Sequence, residues 1–212
     1  TATLNQPLSD ETQVRLSLSK ETANGLYRNQ YLGKDDTNGI DETYARLKIL
    51  NTGAHYEALV TLLHANVNNG FDAFSLDNTL NTLSDEPGFD RQKTNALAAR
   101  LTLNLDKNRL EILGTLSQSE LGYGYDEDWS FVGIHPYGYQ STDHYLRDRS
   151  HQALEVRLLP KAVGEAFNER GDWVIGLYRT QQGTELTRLY TFAPGPYTSD
   201  YQNDATALYA AL

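Results

Sequence analysis

The chain has 212 residues, a formal net charge of −10, and neither cysteine nor methionine. That length holds one sizeable β domain or two small ones. The acidic balance argues against a nucleic-acid partner, which would call for a basic stripe, and the missing thiols exclude disulfides and cysteine-based metal sites. No run of about 18 apolar residues occurs, so no transmembrane helix is expected.

In chain order, strands are expected at 12–20, 26–32, 42–50, 55–67, 94–105, 109–121, 149–159, 172–181, 185–192 and 205–212. Their common feature is a period of two. Val14, Leu16 and Leu18 alternate with Gln13, Arg15, Ser17 and Ser19. Ala45, Leu47 and Ile49 alternate with Tyr44, Arg46 and Lys48. Leu97, Ala99, Leu101, Leu103 and Leu105 alternate with Ala98, Arg100, Thr102 and Asn104. Leu110, Ile112, Gly114 and Leu116 oppose Glu111, Leu113, Thr115 and Ser117, and Leu154, Val156 and Leu158 oppose Glu155 and Arg157. Successive side chains on a strand point to opposite faces, so each strand has one greasy and one polar face. Alternation alone does not say which face is inside. A soluble sandwich packs the apolar face into a core; a membrane barrel turns it to lipid and lines a wet lumen with the polar one.

Loop lengths separate these readings. Short turns are expected at Asn51-Thr52-Gly53 and Asp106-Lys107-Asn108, and long excursions at 68–93 and 123–148. Tight turns at one end and long polar loops at the other are the pattern of an outer-membrane barrel. The connection at 160–171 is longer than the other near-side turns. Tyrosine and other rings gather near strand ends and in loops, as a bilayer interface favours. The expected fold is therefore all-β: an antiparallel up-and-down transmembrane β-barrel wall, about ten strands of a larger barrel. Leu97, Ala99, Leu101, Leu103, Leu110, Ile112, Leu116, Leu154, Val156 and Leu158 are expected on the lipid side, with Arg100, Glu111, Glu155 and Arg157 on the lumen side. The chain opens Thr1-Ala2-Thr3 and closes within an apparent strand at 204–212, so it is expected to be part of something longer.

Catalytic and metal constellations are sparse. There are five histidines, with no zinc-binding spacing among them. Ser150 and His151 are adjacent on an expected strand and point apart, and no Gly-x-Ser-x-Gly elbow is present. His135 and His144 flank a Gly/Tyr-rich loop and could share a metal; Asp72, Asp77 and 126–128 offer oxygens without a known calcium-loop spacing. No enzyme activity, cofactor or metal is expected. Ligand capture is placed on the long-loop side, at Phe71, Phe74, Tyr123, Tyr125, Trp129 and Tyr137. Rings on loops give large contact area at low entropic cost. The alternative is a soluble all-β ligand- or carbohydrate-binding module using loop rings such as Tyr125 and Trp129.

Several segments carry a resemblance. Residues 68–78, from Asn68-Asn69-Gly70-Phe71 to Leu76-Asp77-Asn78, are followed by Leu83-Ser84-Asp85-Glu86-Pro87-Gly88. Then come Tyr123-Gly124-Tyr125-Asp126-Glu127-Asp128-Trp129 and Tyr145-Leu146-Arg147-Asp148-Arg149, leading into Leu154-Glu155-Val156-Arg157-Leu158. In order and spacing these resemble the middle of a TonB-dependent outer-membrane receptor, over nearly the whole chain. The resemblance implies a barrel of about 22 strands with a plug in its lumen. It implies residence in the bacterial outer membrane and uptake of a scarce ligand of the siderophore-iron, haem, cobalamin or glycan class. The implied partners are outer-membrane lipid, the small-molecule ligand, the plug and remaining strands, and the TonB complex through parts outside this chain. Residues 1–212 would be a partial receptor barrel domain. The chain departs from the family in showing no plug, no TonB-contacting segment and no terminal strand ending in an aromatic residue.

Overall fold

The computed structural model describes residues 1–161 and 172–212. Twelve strands follow one another: β1 (Ala2–Pro7), β2 (Thr12–Ala23), β3 (Tyr27–Asn29), β4 (Lys34–Thr37), β5 (Ile40–Thr52), β6 (Tyr56–Phe71), β7 (Asn81–Thr82), β8 (Gly88–Asn104), β9 (Asn108–Asp126), β10 (Thr142–Pro160), β11 (Val174–Tyr190) and β12 (Tyr197–Ala211). Nine form one sheet in the order β1-β2-β5-β6-β8-β9-β10-β11-β12. Every neighbouring pair in it is antiparallel. This is an up-and-down meander, as expected from sequential hairpins.

Register partners share a face, so rows of side chains can be followed across the strands. One row holds Leu4, Leu16, Leu47, Leu62, Leu97 and Leu116. Another row on the same face holds Ala58, Leu101, Ile112, Val156, Leu177 and Leu208. The latter meets β2 at Thr12, four residues from Leu16. The apolar band thus slides along the strands from one side of the sheet to the other. Keeping such a band level requires tilted strands, the geometry of a barrel wall.

The other face carries the charges, and they pair. Arg100 meets Glu57 at 2.7 Å. Glu111, buried, lies between Arg109 at 2.9 Å and Arg157 at 2.6 Å. The Tyr209 hydroxyl donates to Glu155. The ten apolar residues assigned to one face and the four charged ones assigned to the other do segregate that way.

No dry core lies behind the apolar face among the described residues. Among the described residues Ala65 is the only buried apolar residue, while Leu116, Leu154 and Leu208 are 51%, 52% and 79% exposed. The soluble sandwich needed these leucines packed.

The strand list needs correction in four places. The stretch 26–32 is not a wall strand; it contributes β3 to a separate three-stranded sheet, because Asn29 is drawn into a buried polar network. The wall gains β1, whose one pairing partner is β2. The expected strands 172–181 and 185–192 are one strand, β11, continuing through Gln181-Gln182-Gly183 opposite 150–152. The last strand begins at Tyr197, well before 205. Among the described residues the wall therefore has nine strands rather than about ten. The long excursions shrink to 72–87 and 127–141, because β6, β8, β9 and β10 extend past the apolar band. Most of the connection at 160–171 lies outside the described residues.

A candidate ligand-capture site among the long loops

The connections at 8–11, 53–55 and 105–107 lie at one end of the sheet. The first long connection, 24–39, carries β3 and β4; the second, 72–87, carries β7; the third is 127–141; the fourth, 191–196, is short. These four share the other end.

The long loops are knitted together. Strand β3 pairs antiparallel with β4 and parallel with β7, joining the first loop to the second. Behind this sheet the buried Asn29 donates to Asp72 Oδ2 at 3.0 Å and to the Ser84 carbonyl at 2.8 Å. Its Oδ1 accepts the Leu32 N–H at 2.8 Å, and Thr82 Oγ1 also donates to Asp72 Oδ2. Buried polar groups of this kind persist only when satisfied. Tyr31 stacks on Phe131 at 4.5 Å, tying the first loop to the third. Tyr139 stacks on Phe192 at 5.2 Å, tying the third to the fourth.

Against this scaffold the rings converge. Phe71, Tyr123 and Tyr125 stand on the polar face at strand ends, and Phe74 and Trp129 fold over them from the loops. Phe74 is edge-on to Phe71 at 5.4 Å and to Tyr125 at 5.7 Å, and stacked on Trp129 at 5.1 Å. Tyr123 contacts Phe71 at 5.1 Å and Tyr125 at 5.7 Å. These are the separations aromatic pairs favour. Phe74, Tyr123, Tyr125, Glu127, Trp129, Tyr145 and Arg147 line an open cavity of about 610 Å³. Five of the six expected ring residues are thus one cluster. Tyr137 is not part of it: it stands fully exposed on a 3-10 turn with φ +63°.

Trp129 is also held with positive φ, +61°. A turn at Asp126 sets it, with Oδ1 accepting the N–H groups of Asp128 and Trp129 at 3.2 Å each. Asp128 in turn accepts the Ser130 N–H and hydroxyl and the Ser141 N–H.

Beside the cavity, Arg188 makes a bidentate pair with the buried Asp143, at 2.8 and 2.6 Å. The Tyr145 and Tyr125 hydroxyls both donate to Asp143, at 2.9 and 3.4 Å. Burial acts to raise the Asp143 pKa, but the Arg188 guanidinium and the Tyr145 hydroxyl outweigh it and hold the carboxyl below the usual range. Burial, with the Asp143 charge nearby, pushes the Tyr125 hydroxyl up to about 12. The guanidiniums of Arg147 and Arg188 lie over the Tyr145 ring at 5.3 and 5.2 Å. The site therefore offers ring faces, phenol hydroxyls and a guanidinium to a bound molecule. Glu127, Asp143, Tyr145, Arg147 and Arg188 were not foreseen as site residues. The period-two order of 143–147 was the available signal, since it puts Asp143, Tyr145 and Arg147 on one face.

The histidine pair does not form. His135 Nε2 donates to the Asp128 carbonyl at 3.0 Å, and His144 packs on Phe89 at 5.3 Å on the apolar-side face. Asp72 is spent on Asn29 and Thr82, and Asp77 on Thr79. Among the described residues no three acidic or histidine side chains converge as a metal site.

No protein-family model matches the chain, and no curated protein matches it in sequence. Solved structures do match in fold. The ferric yersiniabactin uptake receptor FyuA from Yersinia pestis aligns over 98% of this chain with a TM-score of 0.78 and 15% identity. The outer membrane transporter YddB from Escherichia coli aligns over 98% with a TM-score of 0.55 and 13% identity. The chain spans 32% and 30% of those two proteins, about a third of each. The fold is therefore that of a barrel-wall segment from outer-membrane receptors of this kind.

Proposed function

We propose that the chain is a non-catalytic wall-and-loop segment of a TonB-dependent receptor in the bacterial outer membrane, and that its long loops capture a small ligand for uptake. The observation that carries this is the sheet's two-sidedness: an exposed, tilted leucine band on one face, paired charges on the other, and only Ala65 as a buried apolar residue among those described. Water does not tolerate such a band on a monomer, and lipid does. The charged face then lines a wet lumen, closed by the plug and the other strands, and energy from the TonB complex enters through those parts.

The ring cluster stands on the lumen face at the loop-side mouth, where an incoming ligand arrives. Phe74, Tyr123, Tyr125, Trp129 and Phe71 supply contact, and Arg147 supplies positive charge. Tyr137, fully exposed and clear of the others, serves as a separate point of contact. Ferric chelates fit this chemistry, as the FyuA fold match also favours; haem, cobalamin and glycans remain the competing classes.

The test is the complete receptor with Phe71, Phe74, Tyr125 and Trp129 changed to Ala. Binding of a panel of ferric chelates, haem, cobalamin and oligosaccharides is measured against the parent. At least about tenfold weaker binding of one class, with the barrel still assembled, is expected for ring anchors. Unchanged affinity for whichever class the parent binds places the site elsewhere.

A further inference from the structure

The joint between the second and third long loops contains a buried carboxyl that touches none of the cavity-lining rings through its second oxygen. Asp126 is only 5% exposed, at the end of β9. One oxygen, Oδ1, sets the turn that carries Trp129. The other, Oδ2, is buried and has no hydrogen-bond partner among the described residues. The Ser84 side chain lies beside this carboxyl, and its buried Oγ also has no partner there. Ser84 belongs to the second loop, and its carbonyl accepts from Asn29 of the first. Its neighbour Asp85 reaches the third loop as well, accepting the Val132 N–H at 3.4 Å. A native fold keeps few buried polar atoms unsatisfied, so each asks for a reason.

We propose that Asp126 is the positioning residue of the ring cluster: its carboxyl holds Trp129 over Phe74 and, through Ser84, fastens the second long loop to the third in a proton-dependent way. This rests on reading the rings as the ligand site, and its consequence is that protonation regulates that site. The Ser84 hydroxyl beside Oδ2 favours the ionised carboxyl, so burial and the neighbouring carboxylates, not that contact, are what favour the proton. An ionised Asp126 is a buried negative charge facing two more.

The groups facing it are few. Asp128 is on its own loop, and Asp85 and Ser84 come from the second loop. Thr142, its register partner on β10, is neutral. His135 sits beyond Asp128, bonded to that residue's carbonyl. Burial pushes the Asp126 carboxyl up to about 7; the Ser84 hydroxyl pulls it down, and the Asp128 and Asp85 charges add to the rise. The closed joint therefore binds a proton that an opened, hydrated Asp126 releases. By linkage, the closed form loses stability as pH rises from about 4 to about 7 and stays weaker above that. The ring cluster is fastened in mildly acidic surroundings and loosened in alkaline ones.

The experiment follows Trp129 directly in the full-length receptor in detergent micelles, labelled with 5-fluorotryptophan. Its fluorine resonance is assigned by its loss in Trp129→Phe and followed from pH 5 to pH 9. The expected result is a shift with a midpoint near 7 that disappears in Asp126→Asn. Ser84→Ala should move the midpoint up and Asp85→Asn should move it down. These two variants decide the matter even if Asp126→Asn does not fold. A flat parent profile overturns the proposal. So does a titration that survives Asp126→Asn and vanishes in His135→Gln, or a midpoint that neither Ser84→Ala nor Asp85→Asn moves. No ligand is added, so this test can fail while the ring site stands, and the converse also holds.

Discussion

A single arginine placed on either side of β8 separates the two faces energetically. Leu101 lies on the apolar face between Ala58 and Ile112, four residues short of the turn that opens at Leu105. At about 3.3 Å per residue that is ~13 Å along the strand, and tilt brings the depth to ~10 Å. On the proposed membrane-wall reading the apolar band is about 25 Å tall, which puts residue 101 close to mid-membrane. Leu101→Arg should therefore carry nearly the full midplane cost of about 2–4 kcal/mol, or roughly 30- to 900-fold in the folding equilibrium. Thr102→Arg, one residue on, points to the lumen and should cost less than about 1 kcal/mol. Leu103→Arg, on the apolar face near the turn, should cost well under Leu101→Arg, at about 0–1 kcal/mol. The assay is reversible denaturant unfolding of the complete receptor in lipid vesicles, read by intrinsic fluorescence. Equal costs at 101 and 102, or a neutral Leu101→Arg, would refute the reasoning.

Two further outcomes are expected. Gly88→Ala puts a methyl 1.8 Å from the Gly124 carbonyl oxygen, whereas at Gly114 nothing stands within 4 Å; the same assay should show a loss of about 1–3 kcal/mol for the first and no loss for the second, with a gain of up to about 1 kcal/mol allowed. Arg188→Met should remove a pH-dependent contribution. The Asp143 carboxyl is depressed in the fold, so its stabilisation is present above the ordinary aspartate pKa and is lost as pH falls through the lower folded value. The variant should therefore unfold earlier than the parent at pH 7, with the gap narrowing as the pH falls below the ordinary aspartate range; a gap of constant size across that range would show that packing, not charge, is what Arg188 contributes.

How much was legible in the sequence depended on whether a strand lay within the apolar band. Around Leu97–Leu103 and Leu110–Leu116 one face is uniformly greasy, and period two shows plainly. Beyond the band both faces meet water and the alternation fades. That is why Gln181-Gln182-Gly183 read as a break in β11, and why Tyr197 to Asp204 did not read as strand. The short β1 has only Ala2 and Leu4 on its apolar face, too few to register. The stretch 26–32 failed for the opposite reason: its apolar residues looked like a strand, but the fully buried Asn29 side chain governs its fold through Asp72 and Ser84. In the site, the clustering of Phe71, Phe74, Tyr123, Tyr125 and Trp129 followed from residue type and loop position. Tyr137 shares both and stands apart. The roles of Asp126 and Ser84 were invisible, because a polar side chain's burial is decided by loops that meet only in three dimensions.

The account's central claim is that one face of this sheet meets lipid and the other meets water. The chain has no cysteine, so single thiols can be placed in it without competition from the segment itself. Residues 97 to 104 of the complete receptor, each changed in turn to Cys, labelled with a polarity-sensitive fluorophore and reconstituted in vesicles, would be exposed to a lipid-borne and a water-soluble quencher. Labels at 97, 99, 101 and 103 should be quenched from the lipid, and those at 98, 100, 102 and 104 from water. A profile without a period of two, or one with the two sets reversed, would contradict the membrane-wall account.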